Sequence, residues 1–181
     1  MNLKKLFEMQ QELDDHIIKE HGLEGQNLLP DKNLALQVEL GELANEWRRF
    51  KFWSHNREPR LKELDRQASR IDKTVYKNPL LEEYVDCIHF TLSIGLELYI
   101  ENGDLYIDDL CRGIALEKRV NVHEQFSYLF FLSSGILSGK WQRFINALLG
   151  LGEMLGFSWE QIEAAYMKKN AVNHRRQESG Y

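Results

Sequence analysis

Leu3, Leu6, Phe7, Gln10, Leu13 and Ile17 recur at helical spacing and predict a first amphipathic helix. Gly22, Gly25 and Pro30 place a loop of roughly ten residues behind it. Asp31 is the expected N-cap of a second helix running to about Phe50. Residues 54–78 are polar and mixed in charge and read as a short exposed helix with flexible flanks. Asn78-Pro79 is a start signal, because proline is tolerated in the first helical turn. The third long helix should run from there to about Glu101 and stop at Asn102-Gly103. Further helices are expected over 104–118, 122–138 and 140–155. Ser158 and Gln161 form the S-x-x-Q signature of a capping box ahead of a last helix reaching about Asn173. No stretch reads as a strand, so the expected fold class is all-α, a helical bundle in one domain over 1–181.

Within this pattern the carboxylates are out of place. With Glu39 at zero on the second helix, Glu42 and Glu46 fall within about 60° of it. Leu36, Leu40, Leu43 and Trp47 cluster about 40–100° to the other side. These acids therefore border the apolar stripe instead of opposing it. On the third helix, apolar residues from Leu80 to Leu98 cover most of the circumference, yet Glu83 and Asp86 share one side of it. Uncompensated burial raises carboxylate pKa values and costs stability, and neighbouring like charges add to the cost. Divalent cations held between Glu39/Glu42 and Glu83/Asp86 would remove it. An all-oxygen donor set suits Mg²⁺, with Mn²⁺ as substitute. A lone E-x-x-E is more often a solvated helix face; the apolar setting of Glu83 and Asp86 tips the balance toward metal. Glu46 and Glu82 stand beside the two pairs as spares.

Near the C-terminus, Lys169, Asn173 and Arg176 recur at i, i+4 and i+7, so one helical face presents ammonium, amide and guanidinium together. Arginine pairs bidentately with phosphate and lysine acts as a point charge. The competing reading is a frayed, solubilising tail.

Composition narrows the class further. The 181 residues carry a formal charge of −5, which disfavours a general nucleic-acid-binding surface. Cys87 and Cys111 lie far apart without a C-x-x-C, so neither a disulfide framework nor a zinc site is supported, and a reducing cytoplasm is the expected location. The N-terminal residues lack an apolar signal core. Tyr84 to Ile100, the longest apolar stretch, is broken by Asp86, His89 and Glu97 and is short for a membrane span, so no membrane partner is expected.

The E-x-x-E at Glu39/Glu42 followed by E-x-x-D at Glu83/Asp86 resembles the all-α nucleoside triphosphate pyrophosphohydrolases, which include MazG-like enzymes and dimeric dUTPases. Three stretches look like the dimeric dUTPase branch: Trp47 to Trp53, the run E-x-x-D-x-x-H-F from Glu83 to Phe90, and the tail from Tyr166 through Lys169, Asn170, Asn173, Arg176 and Gln177 to Gly180-Tyr181. The resemblance covers most of the chain and is thinnest over 55–78 and 103–138. It implies Mg²⁺-dependent hydrolysis of dUTP, and of dUDP, to dUMP by a homodimer whose subunits share the active site. It also implies Glu39, Glu42, Glu83 and Asp86 as metal ligands, Glu42 as the carboxylate that polarises the attacking water, and Lys169, Asn173 and Arg176 on the phosphates. Gln11, Asp14, Trp53 and His89 would surround the nucleoside. Asp14 stands where the family pattern has asparagine, and a carboxylate accepts hydrogen bonds without donating. In phages, similar proteins double as regulators, which would add a protein partner. The alternatives are a MazG-like or dCTP-type hydrolase with another base preference, or a non-catalytic helical interaction protein.

Overall fold

A computed structural model describes residues 2–65, 75–99 and 107–180. Seven α-helices occur among them: α1 (Leu3–His21), α2 (Leu29–Trp47), α3 (Pro79–Leu98), α4 (Ile107–Cys111), α5 (Val122–Ser133), α6 (Trp141–Met154) and α7 (Trp159–Glu178). The fold class is all-α, as the periodicity predicts. No helix of the described residues is long and apolar enough to cross a membrane.

Capping chemistry sets most of the helix limits. Gly22 ends α1 in the left-handed conformation at φ 61°, a backbone that glycine adopts without a Cβ penalty. Asn78 accepts from the Leu81 N–H to start α3, with Pro79 in the first turn. Ser158 and Gln161 complete the reciprocal capping box of α7.

The structure corrects several expectations. Asp31 is not the N-cap of α2: the helix starts one turn earlier, at Leu29, because Pro30 is itself pre-set for the first turn. The same helix stops at Trp47, where Arg48 turns left-handed at φ 64° and its guanidinium bonds the Asn56 carbonyl. The stretch read as an exposed helix instead contains β1 (Glu63–Leu64) and β2 (Tyr76–Lys77), a short antiparallel ribbon pairing Glu63 with Lys77 and Leu64 with Tyr76. Residues 66–74 lie outside the described residues, as does the Asn102-Gly103 stop; α3 closes at Leu98. The 104–118 helix reduces to α4, and 122–138 divides into α5 and a 3₁₀ turn at Ile136–Ser138. α7 runs five residues past Asn173, to Glu178.

α3 occupies the middle of the molecule and packs on α1, α2, α6 and α7, which is why apolar residues surround it. Its Gly95 admits Trp141 so closely that an added Cβ would lie 2.3 Å from the indole ring. The Trp141 indole N–H donates to the Thr91 carbonyl at 2.8 Å, satisfying the one polar atom of this buried ring. α2 is the most extensive neighbour of α3. The two run antiparallel, since Lys32 near the start of α2 meets Glu97 at the end of α3 at 2.7 Å.

Candidate active site

Antiparallel registry sets the middle of α2 against the first half of α3, and there the acids meet. One carboxylate oxygen each from Glu39, Glu83 and Asp86 lies within 4.8 Å of the other two. Burial, and then the Asp86 charge, push Glu39 and Glu83 each up to about 7, with the nearby Glu42 adding to both. Asp86 is also raised, chiefly by burial, although Lys169 and Arg176 oppose the shift. Lys169 Nζ donates to Asp86 Oδ2 at 2.6 Å and so supplies, from α7, the basic partner that α3 lacks. The Lys169 ammonium and the Arg176 guanidinium are outnumbered by the four carboxylates. Glu42 is exposed on the rim of the cluster, the other three half-buried. The two spares are otherwise engaged: Glu46 pairs with Arg60 at 3.2 Å and Glu82 with Lys77 at 3.2 Å.

A divalent cation fits this donor set. The ligands are carboxylate oxygens without a thiolate, and no hydrogen bond or ion pair holds Glu39 or Glu83 among the described residues. Their raised pKa values show that the protein alone does not compensate the charge.

Glu39, Asp86 and Lys169 also line a cavity of about 410 Å³ enclosed by α1, α2, α3 and α7. That volume is in the range of small-molecule sites. Asp14, His89, Asn173 and Arg176 line it too, together with Gln10, Lys32, Phe90 and Ser93. Its polar wall is a connected network. Gln10 Oε1 accepts from Tyr166 Oη at 2.7 Å and from His89 Nδ1 at 2.8 Å. Gln10 Nε2 donates to Asp14 Oδ1 at 2.7 Å, and Ser93 Oγ donates to Asp14 Oδ2 at 2.6 Å. Burial raises the Asp14 carboxyl while Lys32, Ser93 and Gln10 oppose the shift. In its ionised form it only accepts, which orients the Gln10 amide with Nε2 toward it and Oε1 toward a proton on His89 Nδ1. His89 Nε2 is then a bare acceptor, buried and without a hydrogen-bond partner among the described residues. Burial, reinforced by the Lys169 charge, pushes the imidazole down to about 3, so it is neutral at working pH. The Tyr166 ring stacks on it at 4.0 Å.

Nine of the eleven residues expected from the sequence therefore gather here: Glu39, Glu42, Glu83, Asp86, Lys169, Asn173, Arg176, Asp14 and His89. Two do not. Gln11 is rotated 100° from the cavity face, and Gln10 replaces it on the inward stripe of α1. Trp53 follows the early end of α2 and is 65% exposed, edge-on to Phe50 and Phe52. Gln10, Lys32, Phe90 and Ser93 also line the cavity, Phe90 as the end of the E-x-x-D-x-x-H-F run and the other three from outside the expected set. For Gln10 there was a signal, an amide on the apolar stripe between Leu6 and Leu13.

A family model described as dUTPase matches residues 2–68 and 70–181 of the chain. No curated protein matches it.

Proposed function

The chain belongs to the dUTPase family and is a dUTP diphosphatase, and from this premise we propose that Mg²⁺ is its metal and that the α1/α2/α3/α7 cavity takes the deoxyuridine. The observation that carries the reading is the meeting of Glu39, Glu83 and Asp86 on the border of a cavity whose wall ends in an unpartnered acceptor, His89 Nε2.

Glu39, Glu83 and Asp86, with Glu42 beside them, would hold Mg²⁺, or Mn²⁺ in its place. The bound ion supplies Lewis acidity toward phosphate oxygens and water. Lys169, Asn173 and Arg176, on one face of α7, bind the phosphate chain and offset the negative charge that develops on the departing diphosphate. Glu42, exposed at the rim, takes the proton of the attacking water. His89 Nε2 accepts from the base, and the ring N–H of uracil is a donor suited to it. Asp14, with both oxygens engaged, fixes Gln10 and through it the His89 tautomer.

The test is turnover of dUTP, dUDP and dCTP with Mg²⁺ and after chelation. The expected order is dUTP and dUDP well above dCTP, with activity lost on chelation and restored by Mg²⁺ or Mn²⁺. Preference for dCTP would overturn the base assignment, and activity that survives chelation would overturn the metal assignment.

The same reading makes the chain a homodimer. Leu34 and Val38 on α2 are 61% and 52% exposed, and Phe131 on the neighbouring α5 is 57% exposed. Gly41 continues that α2 face with nothing within 4 Å of a Cβ built on it, leaving room for a close helix approach. A second copy related by a two-fold axis would cover these residues. Light scattering should return twice the 21.4 kDa chain mass; the mass of one chain would reject the dimer.

A further inference from the structure

α7 carries the phosphate-binding residues of the proposed function, yet its buried residues, Ile162, Tyr166 and Asn170, stop before two of them. Asn173 and Arg176 lie on the last turns, where every residue is half-buried or exposed. Among the described residues, no fully buried apolar side chain anchors the stretch beyond Asn170, and helix ends so placed fray.

A polar seam to α1 takes the place of that anchor. Tyr166 meets Leu6 and Gln10, Asn170 Nδ2 donates to the Met9 carbonyl at 3.3 Å, His174 meets His16, and Gln177 meets His21. Both partners advance together along the chain, so α1 and α7 run parallel and the seam follows them to the end. Among the described residues, the side-chain hydrogen bonds from α7 to α1 past Asn170 each involve an imidazole. His16 Nδ1 and His174 Nδ1 are 2.9 Å apart, with ring centroids at 5.2 Å and ring planes 24° apart, so the rings meet end to end, and His21 Nε2 is 2.8 Å from Gln177 Oε1. In the histidine pair one Nδ1–H donates to the lone pair of the other ring.

His174 is adjacent in sequence to Asn173 and two residues before Arg176. On a helix it faces α1 while those two face the cavity. We propose that His16 and His174 are positioning residues for dUTP hydrolysis: their ring-to-ring hydrogen bond holds the last turns of α7 so that Asn173 and Arg176 meet the phosphate chain. Neither imidazole touches substrate. The inference rests on the phosphate role given above to Asn173 and Arg176.

The test is steady-state kinetics with dUTP on H174F, H174N, H16F, the H16F/H174F double variant and R176A, each corrected for the folded fraction by its melting curve. Phenylalanine keeps the ring and removes the hydrogen bond; asparagine places an amide group where Nδ1 was. H174F and H16F should each raise KM about five- to tenfold with less than a twofold change in kcat, since they weaken the placement of binding groups. The double variant should equal either single one, because one bond is lost in all three. H174N should return KM to within twofold of the parent. A merely structural role would lower the folded fraction and the apparent kcat and leave KM unchanged, which overturns the proposal. Multiplicative effects in the double variant, or an H174N as impaired as H174F, overturn it as well. If R176A raises KM while H174F does not, this inference fails alone. If R176A leaves KM unchanged, the phosphate assignment falls and takes this inference with it.

Discussion

Glu83→Gln is expected to slow dUTP hydrolysis roughly a thousandfold and, in the metal-free protein, to raise the melting temperature. Both follow from the same placement. Glu83 is half-buried beside Asp86, Glu39 and Glu42, and burial together with those charges pushes its pKa up to about 7. No hydrogen bond or ion pair among the described residues rewards its ionisation. A glutamine keeps the shape, carries no charge and can donate, so it removes repulsion from the folded state without opening a cavity. The gain should be a few degrees, because a change of ~1 kcal/mol moves the midpoint of a domain this size by about 2–4 °C. On the proposed metal assignment, catalysis would lose one of the carboxylates that hold the ion. A fall in kcat/KM of roughly 10³-fold, equivalent to about 4 kcal/mol of transition-state stabilisation, is the expected scale. Glu39→Gln should behave alike, since its surroundings and its pKa match. Mg²⁺ reverses the thermal order by stabilising the parent and not the variants. Calorimetry in EDTA and in Mg²⁺, alongside a dUTP assay, reads all of this. A variant with parental turnover would make these carboxylates structural, and a lower melting point in EDTA would mean that Glu83 makes a stabilising contact.

The trade between stability and activity also explains what could be read from the chain. Glu83 and Asp86 are legible because carboxylates on a helix apolar around most of its circumference contradict the burial pattern, and such contradictions mark functional sites. The convergence of Glu39 with them needed only helical spacing and the assumption that α2 faces α3. Spacing along α7 places Lys169 on one face with Asn173 and Arg176, whereas its 2.6 Å contact with Asp86 depends on how α7 crosses α3, which no local pattern encodes. Gln10, and not Gln11, lines the cavity, because the inward stripe of α1 passes through Gln10 and on a helix one residue is a 100° turn. The ribbon of β1 and β2 left little trace, since two-residue strands are too short for a period of two to be seen. The helix ends moved by a turn or so where proline and arginine geometry overrode the simpler capping rule, at Leu29 and Arg48.

The stabilisation conferred by Mg²⁺ should grow steeply with pH. Glu39 and Glu83 have ordinary values of 4.5 and folded values of about 7. Between those limits the folded state binds more protons than the unfolded one, so in the absence of metal their contribution to stability falls as pH rises from about 4.5 to about 7 and is flat beyond. Metal requires the ionised oxygens, so the same window that costs the metal-free protein stability is the one in which Mg²⁺ gains affinity, releasing protons as it binds below pH 7. The difference in melting temperature between Mg²⁺ and EDTA should thus be small near about pH 5 and largest near about pH 8. His89 adds an opposite slope: held at about 3 against an ordinary 6.5, its burial as a neutral ring destabilises the protein increasingly as pH falls below 6.5. To the extent that this cost is common to the two conditions, the difference cancels it and isolates the carboxylates. Glu83→Gln should flatten the difference across the whole range. A Mg²⁺ shift of equal size at both ends of the range would place the ion somewhere other than among Glu39, Glu83 and Asp86.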